Sequence, residues 1–256
     1  MPLRIYTLGR FSIVSHGEPL RHSRKAPQKP LQLLKALIAT GGRQVGCTYL
    51  ASLMWPDKEG DLAQTSFDTT LHRLRKYLGD DRYIIIEDGR LTLNSDLVWV
   101  DVWTFERCLG ELRGSINQSA DHDNTSDVDH CAKTLLTTYQ GHFLMREEVT
   151  HWSVSIRERL RNKYIHSLIE LGHYCEKHGL WNKAILCYQK GIEVDDLVET
   201  FYQRLMVCLD EVGRKPEAIA VYRQCRQILS VVLGLEPMDE TQSVYHLIHA
   251  DYRKAG

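Results

Sequence analysis

The hydrophobic positions between residues 61 and 78 recur at the spacing of an α-helix. Five apolar side chains follow one another at steps of four, four, three and four residues and so share one stripe: Ala63, Phe67, Leu71, Leu74 and Leu78. The polar faces carry hydroxyls that can approach a nucleic-acid groove and cations that pair with phosphate or guanine: Thr65, Thr69, His72, Arg73, Arg75 and Lys76. An ordinary solvated surface helix has the same pattern, so the neighbouring elements must decide between the two interpretations.

The pattern changes to that of strands directly after this helix. Two runs of β-forming residues, 83–86 and 91–93, are joined by the Glu-Asp-Gly-Arg segment of residues 87–90. An Asp-Gly pair between such runs is a strong signal for a β-hairpin. The sequence therefore predicts a wing behind the basic helix, with Arg90 at its tip, where a long cation could enter a minor groove.

Two shorter segments with helical apolar spacing precede the basic helix, at residues 30–39 and 47–55. The second stops before Pro56 because proline disfavours helix in the residue before it. Ahead of both, residues 3–8 and 11–14 alternate as two antiparallel strands. A small sheet, two helices, a basic helix and a hairpin, in this order, are typical of a winged helix-turn-helix.

A cluster of cations stands before the first of these helices. It contains Arg24, Lys25 and Lys29, with Arg21 close by. One interpretation is a solvated loop. The other is a set of phosphate anchors, which position a duplex without reading its sequence. The sequence leaves both open.

Two motifs in register add a family resemblance. They are Phe67-Asp68, Leu71 and Leu74-Arg75 in the basic helix, and Leu50 with Leu53-Met54-Trp55-Pro56-Asp57 ahead of it. They resemble the OmpR-type winged helix of SARP-type bacterial activators and of larger BTAD-containing regulators. The resemblance implies that the basic helix is a recognition helix. One departure concerns the wing: relatives commonly carry Gly-Gly-Tyr where this chain has Asp88-Gly89-Arg90, so an aromatic packing contact is missing and Arg90 is available for the minor groove.

The carboxyl-terminal half contains an internal repeat with a period of 34 residues. The shift superimposes Leu171 on Leu205, Gly179 on Gly213, Ala184-Ile185 on Ala218-Ile219, and Tyr188 on Tyr222. A turn glycine, a small residue where two helices cross and an aromatic residue four positions later are typical of tetratricopeptide repeats. Two such repeats need capping helices, and the resemblance to BTAD-containing regulators implies them at residues 131–139 and 152–171 before the repeats and at 241–252 after them. This half, including Asp195 to Glu199 and the Leu-Gly-Leu-Glu-Pro run at 233–237, resembles the BTAD module.

The expected fold is therefore mainly α. It comprises an OmpR-type winged-helix DNA-binding domain at residues 1–98, with a small sheet and a wing, and an all-α tetratricopeptide-like BTAD at residues 99–256. Residues 96–101 are expected to join the wing directly to a helix at 102–112. Residues 114–129 are polar and of low complexity, which predicts a disordered or mobile loop.

Charge and cysteine usage refine this division. The net charge of -1 is the sum of unequal parts: the net charge is +4 over residues 1–100, -5 over residues 101–149 and zero over residues 150–256. The only basic segment is the one that carries the helix and the wing, as expected of a DNA-binding domain joined to another module. The seven cysteines form no C-x-x-C pair and are expected to be reduced core residues of a cytoplasmic protein. No signal peptide or membrane span is expected.

The sequence favours a protein that is not an enzyme. It contains no P-loop, no G-x-S-x-G or H-E-x-x-H motif and no zinc-type Cys-His spacing. Asp121, Asp123 and Asp127 imitate part of an EF-hand, but Ser126 and Ala132 replace its glycine and its glutamate. His246 and His249 lie three apart without a third ligand. No metal or cofactor is expected.

The leading hypothesis is a transcriptional regulator that binds specific double-stranded DNA. We expect two copies to bind directly repeated promoter sites, because a domain with a modest basic excess gains affinity from a second contact. The helical domain would serve self-association, or contact with the transcription machinery or an effector protein. The alternative is a tetratricopeptide adaptor whose winged helix docks protein. A third is a sensor whose helical domain binds a small ligand. The resemblance also implies that the chain could be the output half of a larger ATPase regulator.

Overall fold

The computed structural model describes residues 2–20, 27–118 and 125–255. The chain divides into two compact units, Met1–Gly110 with Lys133–Leu160, and Glu111–Ala132 with Arg161–Gly256. The described residues form seven strands and ten α-helices, so the expected mainly α fold with a small amino-terminal sheet is confirmed. The boundary at residue 98 stays a prediction, because each unit is assembled from two separate stretches of chain.

The elements that lie wholly in the first unit are β1 (Leu3–Tyr6), β2 (Ser12–Ser15), β3 (Glu18–Pro19), α1 (Gln28–Ala39), β4 (Val45–Gly46), α2 (Cys47–Met54), α3 (Gly60–Leu78), β5 (Ile84–Glu87), β6 (Arg90–Leu93) and β7 (Val98–Val100). A 3-10 turn, Asp81–Tyr83, separates α3 from β5. The helices α4 (Asp101–Gln118), α5 (Thr125–Thr138) and α6 (His151–Lys177) have residues in both units. The second unit is completed by α7 (Trp181–Val194), α8 (Glu199–Glu211), α9 (Lys215–Leu233) and α10 (Asp239–Ala255).

The amino-terminal sheet has the strand order β3-β2-β1-β7. Its edge strand β7 was not predicted: residues 96–101 join the wing to α4 as expected, and three of them also form a strand. β7 pairs in parallel with β1, with Leu3 opposite Val98 and Ile5 opposite Val100. All four of these side chains are fully buried, because the alternation of Val-Trp-Val matches that of β1.

A buried carboxylate connects this sheet to α4. Asp101 accepts hydrogen bonds from the backbone N–H of Thr7 (2.6 Å), the hydroxyl of Thr7 (2.7 Å) and the N–H groups of Leu8 (2.7 Å) and Val102 (2.8 Å). Burial raises the pKa of Asp101, and these hydrogen bonds oppose that rise. The carboxylate thus satisfies backbone donors at the end of β1 and at the start of α4.

The winged-helix part follows the predicted order. The apolar stripe of α3 is buried, and α3 ends at Gly79, whose φ of 87° is left-handed and whose N–H donates to the Arg75 carbonyl. The second sheet has the order β4-β6-β5, and its hairpin turns at Asp88 (φ 47°) and Gly89 (φ 69°). Two consecutive positive φ angles are the conformation that selects Asp-Gly in tight hairpins. The turn at Asp88 and Gly89 is therefore the tip of the wing.

The second unit contains the repeat found in the sequence. Gly179 and Gly213 adopt left-handed φ angles of 69° and 76° between successive helices, and Ala184 and Ala218 are fully buried. Within the repeat region, a Cβ atom at Gly172 in α6 would lie 2.4 Å from the ring of Tyr188 in α7. The absence of a side chain there lets the two helices approach closely.

Residues 114–129 are not the continuous mobile loop that their composition predicts. α4 extends to Gln118 and α5 begins at Thr125, and residues 119–124, with Asp121 and Asp123, lie outside the described residues. Val128 is buried, and the Asp129 carboxylate lies 2.7 Å from the Lys183 ammonium. An apolar anchor and an ion pair therefore hold the start of α5, although its composition is polar.

Across the described residues, no three or more histidine, cysteine or carboxylate side chains gather as a metal site would require. No described helix combines the length and the apolarity needed to cross a membrane.

Candidate nucleic-acid interface

The solvent-facing side of α3 is the candidate interface. Its exposed residues include five of those predicted from the sequence: Thr65, Thr69, His72, Arg73 and Lys76. The same spacing of three and four residues that buries Phe67, Leu71 and Leu74 aligns these polar residues on one stripe. The helix therefore presents two hydroxyls, an imidazole and two cations to solvent along its length.

The two hydroxyl groups are already engaged as donors. The Thr65 hydroxyl donates to the Asp61 carbonyl (2.9 Å), and the Thr69 hydroxyl donates to the Thr65 carbonyl (3.0 Å). Each oxygen keeps lone pairs that can accept a hydrogen bond, and each methyl group is available for apolar contact. These threonines therefore suit adenine or cytosine amino groups and the thymine methyl group better than base acceptors.

Arg75 differs from the other cations of α3. It is half-buried, and its Nη2 donates to the carbonyl of Ile84 at 2.8 Å. Ile84 is the first residue of β5, so the guanidinium links α3 to the wing. This placement favours a positioning role over the direct DNA contact predicted for Arg75.

The wing presents Arg90 at the start of β6, directly after Gly89. Arg90 is exposed, and its Nη1 donates to the carbonyl of Gln44 at 3.1 Å. The N–H of Gln44 in turn donates to the hydroxyl of Thr92 at 2.9 Å. The side chain at the wing tip is therefore partly restrained by the segment before β4, a contact across 46 residues that the local sequence pattern does not reveal.

The predicted cations before α1 are only partly described. Arg24 and Lys25 lie outside the described residues. Lys29 is exposed in the first turn of α1, and its ammonium lies 6.0 Å from the centroid of the Trp55 ring, at the limit of a cation–π contact. This contact places Lys29 beside the end of α2. The loop that leads into α3 starts there.

One further cation, which the sequence analysis did not single out, lies beside α3. The ammonium of Lys58, in the loop before α3, donates to the hydroxyl of Ser66 at 2.8 Å. Its position directly after the Trp55-Pro56-Asp57 motif was the available signal. Lys58 therefore adds a positive charge near the first turns of α3, where phosphate groups flanking a groove would lie.

The charge states near α3 follow from the local environment. Hydrogen bonds from Arg82 lower the pKa of Asp80, just past the end of the helix. Burial, followed by the Asp68 carboxylate, raises the pKa of the Cys47 thiol. A raised thiol pKa disfavours the thiolate that nucleophilic chemistry needs. Cys47 is therefore a core residue of the first unit, packed near α3.

Comparison with known proteins gives matches along most of the chain. The family described as "Bacterial transcriptional activator domain" matches residues 100–249. The "Regulatory protein AfsR" of Streptomyces griseus is 24% identical over 223 residues, which are 81% of this chain and 21% of that protein. The chain thus spans about a fifth of the length of this curated relative.

Among solved structures, Mycobacterium tuberculosis EmbR, in complex with a low-affinity phosphopeptide, superposes with a TM-score of 0.70 at 17% identity. The superposition covers 98% of this chain and 65% of that one. The two chains therefore share their fold over nearly the whole length described here.

Proposed function

Because the chain belongs to the bacterial transcriptional activator domain family and is a SARP-type bacterial transcriptional regulator, we propose that it recognises specific promoter sequences through α3 and the wing. The observation that carries this proposal is the exposed stripe of α3, where Arg73 and Lys76 stand beside acceptor hydroxyls and a hairpin wing follows at once. In a winged helix, such a helix enters the major groove and the wing lies over the adjacent minor groove.

The residues of the interface divide into readers and anchors. Arg73 suits a bidentate contact with guanine, and Thr65 and Thr69 suit base amino groups or the thymine methyl group. The cations Lys29 and Lys58, near the ends of the helices, suit phosphate, as do Lys76 and, outside the described residues, Arg24 and Lys25. Arg75 is a positioning residue, since it holds the wing strand against the helix.

The proposal extends to the assembly on DNA. The number of cations on α3 is small, and a second bound copy raises the apparent affinity when the geometry permits both to engage. We therefore propose that two copies bind directly repeated half-sites, with the helical repeat unit serving self-association or contact with the transcription machinery or an effector protein.

Selection of bound duplexes from genomic fragments, followed by sequencing, tests the DNA-reading role. We expect a recurring motif, and a dissociation constant that rises with salt, because each phosphate contact contributes about -0.9 to the slope of log K against log salt. Failure to enrich any motif, together with a slope near zero, would contradict the proposal. It would favour the alternative in which the winged helix docks protein.

A further inference from the structure

A cleft of about 1040 Å³ lies in the first unit, beside the wing rather than on the recognition helix. Its walls come from the segment after α1, the exposed side of α2, the wing turn, α4 and the first turns of α6. A concave site of this size is at the upper end of the range for organic ligands. No residue of α3 lines the cleft, and the proposed DNA interface shares with it only the wing turn with Arg90, so most of the lining has no role in the proposed reading of DNA.

Positive charge collects around this cleft. Arg43, Arg90 and Arg159 line it and are all exposed, whereas the lining carboxylates are Glu106 and Asp88. Arg159 and Glu106 are 3.8 Å apart. A guanidinium group presents a planar fork of donors that fits carboxylate and phosphate oxygens. The cleft therefore offers more cationic groups than its own carboxylates can match.

Two of the three guanidinium groups are held in place. The Arg43 guanidinium lies 5.4 Å from the centroid of the Trp103 ring, and Arg90 donates to the Gln44 carbonyl. A restrained cation loses less conformational freedom when an anion binds than a freely rotating one does. These contacts therefore partly preorganise the cationic rim.

The floor of the cleft is apolar. Val45 and Ile156 are buried side chains that line it, and the half-buried Trp152 provides a flat ring. An inorganic anion would contact only the cationic rim, and the apolar floor would stay exposed to water. A molecule with an anionic group and a flat apolar body would contact both.

From the cationic rim and the apolar floor together, we propose that the cleft binds a small organic anion, an aryl phosphate or aryl carboxylate in chemical class. Its anionic group contacts Arg43 and Arg159, and its ring lies against Trp152 and Ile156. A DNA duplex is the less suitable occupant, because the apolar floor lies inside a concavity that a sugar-phosphate backbone would only span. The site does not depend on the proposed reading of DNA.

The indole N–H signals of the five tryptophans test the proposal on the full chain without DNA. During titration with 1-naphthyl phosphate, we expect the Trp152 signal to shift to saturation while that of Trp181, in the second unit, stays in place. Inorganic phosphate and naphthalene-2-methanol are the controls, because each supplies only half of the proposed chemistry. We expect each to bind at least about tenfold more weakly.

Two variants sharpen the test. Arg43→Ala and Arg159→Ala should each weaken binding about tenfold, since each removes a charge-assisted contact. Arg82→Ala is the matched control, because Arg82 is an exposed arginine of the same unit that does not line the cleft. The proposal is overturned by a Trp152 signal that does not saturate, or by equal affinity in all three variants. A short duplex that moves Trp152 while naphthyl phosphate does not would also overturn it, in favour of a DNA contact.

Discussion

At the scale of single residues, the most informative contrast lies between two arginines of α3 that stand two positions apart. Arg73 is exposed on the polar stripe, whereas Arg75 is half-buried and bonded to the Ile84 carbonyl. Both are equally basic in the sequence. Helical spacing indicates that the two side chains leave α3 in different directions. It does not identify the partner of Arg75, because that carbonyl belongs to β5 and comes close to α3 only in the folded chain.

We predict that Arg73→Ala relaxes base preference. If Arg73 makes a bidentate guanine contact, the preferred site should lose about 1 to 3 kcal/mol relative to single-base variants of that site. Competition binding between the selected motif and its variants measures this change. Arg82→Ala serves as the control, because that guanidinium is held by Asp80. Equal losses on all duplexes would assign Arg73 to phosphate instead.

A second prediction concerns the wing tip. Arg90→Ala should weaken binding to every duplex with an intact flanking minor groove, since arginine is attracted to its negative potential. The same change removes the bond to the Gln44 carbonyl, so the midpoint of urea unfolding must be measured beside affinity. Unchanged affinity at unchanged stability would leave Arg90 as a solvated turn residue.

At the scale of elements, the helices of the second unit pack closely where α6 meets α7. We predict that Gly172→Ala lowers the free energy of unfolding by about 1 to 3 kcal/mol or more, because the new Cβ would lie 2.4 Å from the Tyr188 ring. Gly114→Ala is the matched control, a helical glycine of the same unit with nothing within 4 Å of the added atom. It should stabilise by about 0.5 to 1 kcal/mol. Urea titration of both variants gives the comparison, and equal effects would contradict the packing argument.

The carboxylate at the start of α4 supports another element-scale prediction. Asp101→Ala leaves the buried N–H groups of Thr7 and Leu8 without their acceptor, and each such loss costs about 1 to 3 kcal/mol. We expect a large drop in the free energy of unfolding, measured by urea titration. The exposed Asp96→Ala should change it by less than about 0.5 kcal/mol. Similar results for both variants would show that Asp101 is not a buried connection.

The elements themselves show what a sequence can and cannot predict. Long periodic segments such as α3, and the Asp-Gly turn of the wing, carry their own local signals and were predicted in place. β7 was missed, since three residues are too few for a periodic pattern and its partner β1 lies 95 positions earlier in the register. The start of α5 was missed because its polar composition outweighed Val128, whose burial depends on tertiary packing. Arg75 and Arg90 each donate to a distant backbone carbonyl that local composition does not reveal, and their contacts with DNA stay predictions.

At the scale of the whole molecule, the first unit is built from two separate stretches of chain, which limits where the chain can be cut into fragments that fold. The first unit contains residues 133–160 as well as the amino-terminal stretch, and Leu8 forms a β-bridge with Phe143. A fragment that ends at residue 98 would lack Asp101, most of β7 and the partner of Leu8. Functional tests of the DNA interface are therefore best made on the full chain.

We predict that two copies of the full chain occupy a duplex with two directly repeated half-sites about one helical turn apart. Mass determination of the complex, combined with footprinting, measures the number of copies. A duplex with one half-site is the control and should bind more weakly, because the second contact is lost. A single copy on both duplexes, with equal affinity, would contradict self-association.

All seven cysteines are buried as thiols, two in the first unit and five in the second. Burial raises the pKa of Cys225 to about 12 and that of Cys208 to about 11, so few thiolates form at these two positions near neutral pH in the native state. Because all seven side chains are shielded from solvent, we expect alkylation of each cysteine to require the local opening of its own helix. Peptide mapping after timed alkylation would then give an opening rate for each of these helices, and would show which unit opens first without any engineered probe.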